Sequence, residues 1–503
     1  MLRHLSLSAY LWTFGAYLVV WVALSISILH MLEVDYSSSF FAPKTPAPKM
    51  RPYHERRNIS VDDAFLELYN FSNCYRQVDY GIVDAIQAKE LCGRDDGTSI
   101  THLPGDGLWT DGSVWRNFGL DMRDATAMAL VKNPIEDDDG YDPRYKAQSS
   151  RVMCNDCLLQ DVSSLLAHVF PQHVNESAPE WRCERGDYDT QIEERAIVVA
   201  RKNAMSPYYL LSAAINAWVI ATQQLQWSPS TTRVVFLDNA ERMEYDSIFQ
   251  KLLSPAHDVV YGKDLVGKRV GFLKDALFVP FEHFGPLTQH LDDDQPCFES
   301  YLLQDFRDAV FDAFKVPRIA HNPVHDATRP CVVTIVSRRP IRGRDVNRMW
   351  ANEDDVLRAM QDKYGRHCRF QAVDFATKSM ADQIALIAES RVIIGMHGAG
   401  LANVLFAAAH AYVIEIFPLL TEKFGYRNLC QYLGLEYVAV RDGFDTIWPT
   451  QHKTIALDEW FRTFDLVMDV VLHAQTKTAY EQRKAIQRKI HRQHILDVEF
   501  PDL

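Results

Sequence analysis

Arg391-Val-Ile-Ile-Gly-Met-His-Gly-Ala-Gly-Leu401 is the stretch on which the reading of this sequence turns. Arg391–Gly395 is a short apolar run, the mark of a buried strand. The glycine-rich turn Gly395–Leu401 follows it and opens a predicted helix, Gly400–Ala409. Small residues at such a turn let a phosphate approach the backbone, where free N–H groups and the helix dipole attract negative charge. His397 adds a donor at the same place. In open α/β sheets, ligands sit at the carboxyl ends of the strands. Gly398, Ala399, Gly400 and Leu401 are therefore candidate contacts to an anionic ligand, and Asn403, in the predicted helix, joins them. The bland reading of the same residues is a tight turn around a buried histidine.

Outward from this stretch, strand and helix alternate. Val332–Ser337, Phe370–Phe375 and Tyr412–Phe417 read as strands, and Asn352–Tyr364 and Ser379–Ser390 as helices. Asn352 is a suitable N-cap, with acidic residues in the first turn behind it. The pattern predicts a doubly wound α/β unit. Upstream, Ala196–Ala200 and Thr232–Asp238 read as strands, and Pro207–Gln226 and Tyr245–Leu253 as helices. A proline-bearing connector, Val316–Pro330, separates the two alternations. The expected fold is two Rossmann-like doubly wound α/β domains facing a cleft.

Arg338 and Arg339 end the strand Val332–Ser337, so they should face the same edge as the glycine turn, with Arg348 further along. Arginines there could neutralise a diphosphate without a metal. A solvated basic loop is the alternative. Glu415 lies in the strand Tyr412–Phe417, where a carboxylate suits the two hydroxyls of a ribose. Asp137–Asp139 and Asp292–Asp294 each hold an Asp-x-Asp spacing that could bind a metal, but neither follows a clear strand and both read as solvated loops. No metal is expected.

The 503-residue chain carries a formal net charge of −13, which makes it a poor partner for a phosphate backbone and argues against nucleic-acid binding. Leu5–Leu32 holds no acidic residue, Lys or Arg, and Tyr10–Leu29 meets the ~20 residues that cross a bilayer. Arg3 before the span, and Glu33 and Asp35 after it, predict a type II anchor with the remainder lumenal. The expected divisions are residues 1–32 (tail and anchor), 33–59 (proline-rich stem), 60–320 (N-terminal domain), 321–447 (C-terminal domain) and 448–503 (C-terminal helix and tail). Nine cysteines lie beyond the anchor, where disulfides can form, and their pairing is open. Sequons stand at Asn58, Asn70 and Asn175. A long helix is predicted over Leu457–His494.

His397-Gly-Ala-Gly-Leu401 after its apolar strand, Val413-Ile-Glu-Ile-Phe417, Ser337-Arg-Arg339 and Asn352-Glu-Asp-Asp-Val356 together resemble glycosyltransferase family 61. The plant-type branch that adds β-1,2-xylose to N-glycans is nearest. The likeness runs from about residue 195 to 445. It implies a Golgi (alternatively endoplasmic reticulum) type II enzyme of GT-B fold, inverting and metal-independent. A UDP-sugar would be the donor and a glycan or glycoprotein the acceptor. Other branches of the family act on O-linked protein sites. One departure stands out. The family's Asn, His and Asp after the strand Ala196–Ala200 align here with Ser206, Tyr209 and Ala213. An inverting transferase needs a base for the acceptor hydroxyl. Asp238, at a strand end, is the candidate replacement; a chain that binds without turnover is the alternative.

Overall fold

The computed structural model describes residues 71–93, 95, 97–104, 112–128, 142–146, 149–153, 165, 167–170, 188–288, 290–291, 297, 299–321, 324, 331–340, 346–418, 421, 423–447 and 450–499. All of them belong to one unit, Glu67–Leu503. The expected anchor, stem, the asparagines of the three sequons and both Asp-x-Asp spacings lie outside the described residues, as do Arg342 and Arg344. Among the described residues, no helix is long and apolar enough to cross a membrane.

The fold is mixed α/β. Its first large sheet uses Lys89–Gly93 (β1), Ser99–Leu103 (β2), Gly112–Arg116 (β3), Arg195–Val199 (β4), Thr232–Phe236 (β5), Val260–Tyr261 (β6) and Ala276–Phe278 (β7), in the spatial order β1-β2-β3-β7-β4-β5-β6. β7, β4, β5 and β6 run parallel, while β1 to β3 form an antiparallel extension paired to β7. Ala196–Val199 are all buried, which is why this strand is a continuous apolar run rather than an alternating one. β4 leads into α1 (Pro207–Trp218), with Pro207 in the first turn, and β5 into α2 (Asp246–Leu253). The helix expected to reach Gln226 leaves α geometry at Val219 and continues as a π-helix to Gln224. Thr222 Oγ1 donates to Trp218 O at 2.6 Å, so a hydroxyl takes up a carbonyl of the α ladder there.

After α3 (Tyr301–Phe314), the second sheet is entirely parallel. It comprises Cys331–Val336 (β8), Cys368–Val373 (β9), Val392–Met396 (β10), Tyr412–Ile416 (β11) and Glu436–Val440 (β12), in the order β9-β8-β10-β11-β12. Its crossovers are α4 (Glu353–Tyr364), α5 (Met380–Glu389), a 3-10 helix (Ala399–Phe406) and α6 (Gly425–Tyr432). Asn352 does not cap α4 with its side chain; it is spent on Ile455, whose N and O it pairs with at 3.2 and 2.7 Å. The expected helix Leu457–His494 is two helices, α7 (Leu457–His473) and α8 (Lys477–Glu499). Thr476 breaks it, its Oγ1 accepting from Ala479 N at 3.0 Å to start a new helix. Trp460, Phe464 and Val471 of α7 pack into the core beside Val333, Ile394 and Ile414. Cys331–Cys368 joins the neighbouring strands β8 and β9, Cys74–Cys297 joins residues 223 apart, and Cys430 is a buried free thiol.

Candidate functional site

In chain order, the strands of the second sheet lie 2-1-3-4-5, so the winding reverses between β8 and β10. At such a reversal the connections leave on opposite faces and open a crevice at the carboxyl ends. Val336 pairs with Gly395 across this point. Beyond it, the chain supplies Ser337 and Arg338 on one side and His397–Gly400 on the other. Gly398 has φ +155°, and a Cβ there would lie 1.8 Å from Arg338 Nη1. The guanidinium thus occupies the space a side chain at 398 would need. Gly400 has the same logic toward the sheet, its absent Cβ facing Val336 Cγ1 at 3.3 Å. Leu401 N turns back to Gly398 O at 3.0 Å, leaving the amides of Ala399 and Gly400 as the helix's first donors.

His397 is held from behind. Its Nδ1 lies 2.6 Å from Glu415 Oε1, and Tyr437 OH donates to Glu415 Oε2 at 2.7 Å. Glu415 is fully buried. With Nδ1 committed, Nε2 is the ring atom left for a ligand. Phe417 stacks on the ring at 5.1 Å, and Tyr426 stands edge-on at 5.9 Å while donating to Gly398 O at 2.8 Å. Burial pushes the Tyr426 hydroxyl well above its ordinary pKa; Glu415 adds to the effect, and Arg338 and Arg348 oppose it. Both arginines therefore lie within electrostatic reach of the turn.

The structure brings Arg338, Arg348, His397, Gly398, Ala399 and Gly400 together and gives the other expected residues different work. Arg339 turns to α4, with Nη2 2.7 Å from Glu353 Oε1 and its side chain 40% exposed. Leu401 is core, filling the space above Gly395. Asn403 is fully buried and donates to Tyr245 OH at 2.7 Å and Gln383 Oε1 at 3.1 Å. Glu415 cannot meet a ribose, because both oxygens are taken and none of it reaches solvent. Asp238 is 1% exposed, with Arg201 Nε and Nη2 each donating to it at 2.9 Å. A carboxylate sealed in that ion pair has no access to an acceptor hydroxyl. Sequence reasoning missed Tyr426 and Tyr437, and also Asn203 beyond β4 and Glu282 and His283 beyond β7. β7, with three residues, is too short for periodicity, although Leu277-Phe-Val-Pro280 followed by Glu282-His283 has the form of a strand end.

Residues 289–414 match the family model described as Glycosyltransferase 61. An EGF domain-specific O-linked N-acetylglucosamine transferase of Drosophila melanogaster is 29% identical over 177 residues, 35% of this chain and 31% of its own length. Beta-1,2-xylosyltransferase RCN11 of Oryza sativa subsp. japonica is 22% identical over 272 residues, 50% of this chain and 49% of its own. The chain thus spans a third to a half of the length of these curated relatives. The iron-containing dodecameric glycosyltransferase TibC of enterotoxigenic E. coli aligns at TM-score 0.22 and 9% identity, over 64% of this chain and 78% of its own; a score that low carries no argument.

Proposed function

Because this chain carries a glycosyltransferase 61 domain, we propose that it moves a sugar from a UDP-sugar to a hydroxyl of a glycan or glycoprotein, inverting the anomeric centre. The observation that carries the reading is the Arg338 guanidinium seated over Gly398 at the β8/β10 reversal. There Arg338 and Arg348, the amides of Ala399 and Gly400, and His397 Nε2 would receive the diphosphate. Charge-assisted donors fixed in place act most strongly as the leaving group gains charge. Neutralisation by arginine makes a divalent metal unnecessary in this account. The relatives leave two donors open, UDP-xylose for an N-glycan acceptor and UDP-N-acetylglucosamine for an O-linked one.

The wider reading is a GT-B arrangement, with an acceptor-side domain over residues 60–320 and a donor-side domain over 321–447. Residues 1–32 would anchor the chain as a type II protein of the Golgi or endoplasmic reticulum. A second reading, binding without turnover, has one observation in its favour. Ala213, where the resemblance places an aspartate, is a sealed core residue at 1% exposure. UDP release by the purified full chain, with both donors and N-glycan and EGF-domain acceptors, decides between them. Acceptor-dependent release is expected; UDP binding with no release on any acceptor would favour the second reading.

A further inference from the structure

The first sheet has a reversal of its own. Its parallel strands lie 4-1-2-3 in chain order, so the chain turns back between β7 and β4. The loops beyond those two strands, residues 200–206 and 279–285, flank that point, where open α/β sheets take their ligands. They are locked together. Glu282 Oε1 accepts from Lys202 N at 2.7 Å and Asn203 N at 2.8 Å, and Asn203 Nδ2 lies 3.0 Å from His283 Nε2. The His283 ring is stacked between Tyr209 at 4.3 Å and Phe281 at 4.7 Å. An imidazole fixed on both faces and at one nitrogen has one orientation, yet His283 keeps partial exposure and its neighbour Phe284 is 37% exposed. A path of neighbouring rings runs from it to the glycine turn: Tyr209 to Tyr208 at 6.0 Å, Tyr208 to Tyr426 at 5.4 Å, and Tyr426 to His397 at 5.9 Å.

We propose that His283 is the general base that takes the acceptor's proton. The inference rests on the transferase reading above. As the acceptor oxygen bonds to the anomeric carbon, the bond from that carbon to the β-phosphate oxygen breaks and UDP leaves with the electron pair. The hydroxyl proton passes to the imidazole and then to solvent. The two ends of the Asn203 amide are alike in shape. With its oxygen accepting from Nε2–H, Nδ1 holds the free lone pair. Burial, aided by Lys202 and Arg144, lowers the His283 pKa to about 4, so the ring is unprotonated at neutral pH. Tyr209 stands where the resemblance expects a histidine, and the imidazole reaches that ring from position 283 instead.

His283→Ala and His283→Gln in the full chain test the proposal, with the acceptor that the wild type uses. Turnover should fall about a hundredfold or more, the usual range for loss of a general base. UDP affinity by calorimetry should stay unchanged. Azide, a nucleophile with no proton to lose, should restore UDP release in His283→Ala and give a glycosyl azide. Unchanged turnover in a folded variant overturns the base role and leaves the transferase reading standing. Turnover lost together with UDP affinity, without azide rescue, makes His283 structural and also overturns it. If the wild type binds UDP but releases none on any acceptor, the transferase reading falls and the base role with it. Asn203→Asp keeps an acceptor on Nε2–H, so it should retain turnover; a folded but inactive Asn203→Asp overturns the proposal even if the 283 variants do not fold.

Discussion

Arg338 and Arg339 are neighbours with opposite prospects. Arg338 lies against the turn, while Arg339 is committed to Glu353 and is 40% exposed. Arg339→Ala should leave UDP affinity unchanged and lower stability by less than about 1 kcal/mol, as expected of a half-exposed pair; calorimetry and a melting curve check both. Gly398→Ala addresses the same contact from the other side. Its Cβ would displace the guanidinium and strain a backbone at φ +155°, so UDP affinity should fall about tenfold or more. Affinity equal to wild type in folded Gly398→Ala would mean that Arg338 does not need its seat. Glu415→Gln removes the anionic partner of His397 Nδ1 while nearly keeping the shape. A several-fold weaker UDP affinity is expected, consistent with loss of about 1 kcal/mol from one oriented donor.

At the scale of elements, two loop and strand locks carry predictions. Glu282 joins the loops after β4 and β7, and burial pushes its carboxyl up from 4.5 to about 7. The folded chain therefore holds a proton that the unfolded chain releases. Stability from this group is fully present below about pH 4.5 and is lost as pH rises through about 7, by up to roughly 3 kcal/mol. Glu282→Gln keeps the acceptor for Lys202 and Asn203, so melting temperature measured from about pH 5 to 8 should fall less steeply than in wild type. An unchanged slope would contradict the assignment. The slope that remains belongs in part to Asp79, which burial raises to about 7 as well. Cys331–Cys368 closes a loop of 37 residues, so replacing both cysteines by serine should destabilise the chain by roughly 4 kcal/mol in the chain-entropy account. The parallel strands β4, β5, β8, β10 and β11 were legible because burial makes each one a largely continuous apolar run; the two- and three-residue β6 and β7 are too short to show one. β1 to β3 were not, because Lys89–Gly93 has no buried residue and β3 docks on β7, far along the chain.

Across the whole molecule, two winding reversals, β8/β10 and β7/β4, collect the polar groups that the folding core does not use. The first was readable from sequence, since glycines and arginines at strand ends follow local rules. The roles of Asp238, Asn403 and Glu415 were not, because only the tertiary structure shows that Arg201, Tyr245 and Tyr437 have already claimed their oxygens or nitrogens. His283 was invisible for the matching reason: its partners Asn203 and Tyr209 lie more than seventy positions upstream. On the proposed reading, the β8/β10 reversal binds a nucleotide diphosphate through Arg338. Titration calorimetry of UDP into the full chain, with chelator present, compares wild type with Arg338→Ala. Wild type should bind, and Arg338→Ala should bind about ten- to a hundredfold more weakly with an unchanged melting temperature. A wild-type chain that does not bind UDP, or a folded Arg338→Ala that binds it equally well, would rule out a diphosphate site at this reversal.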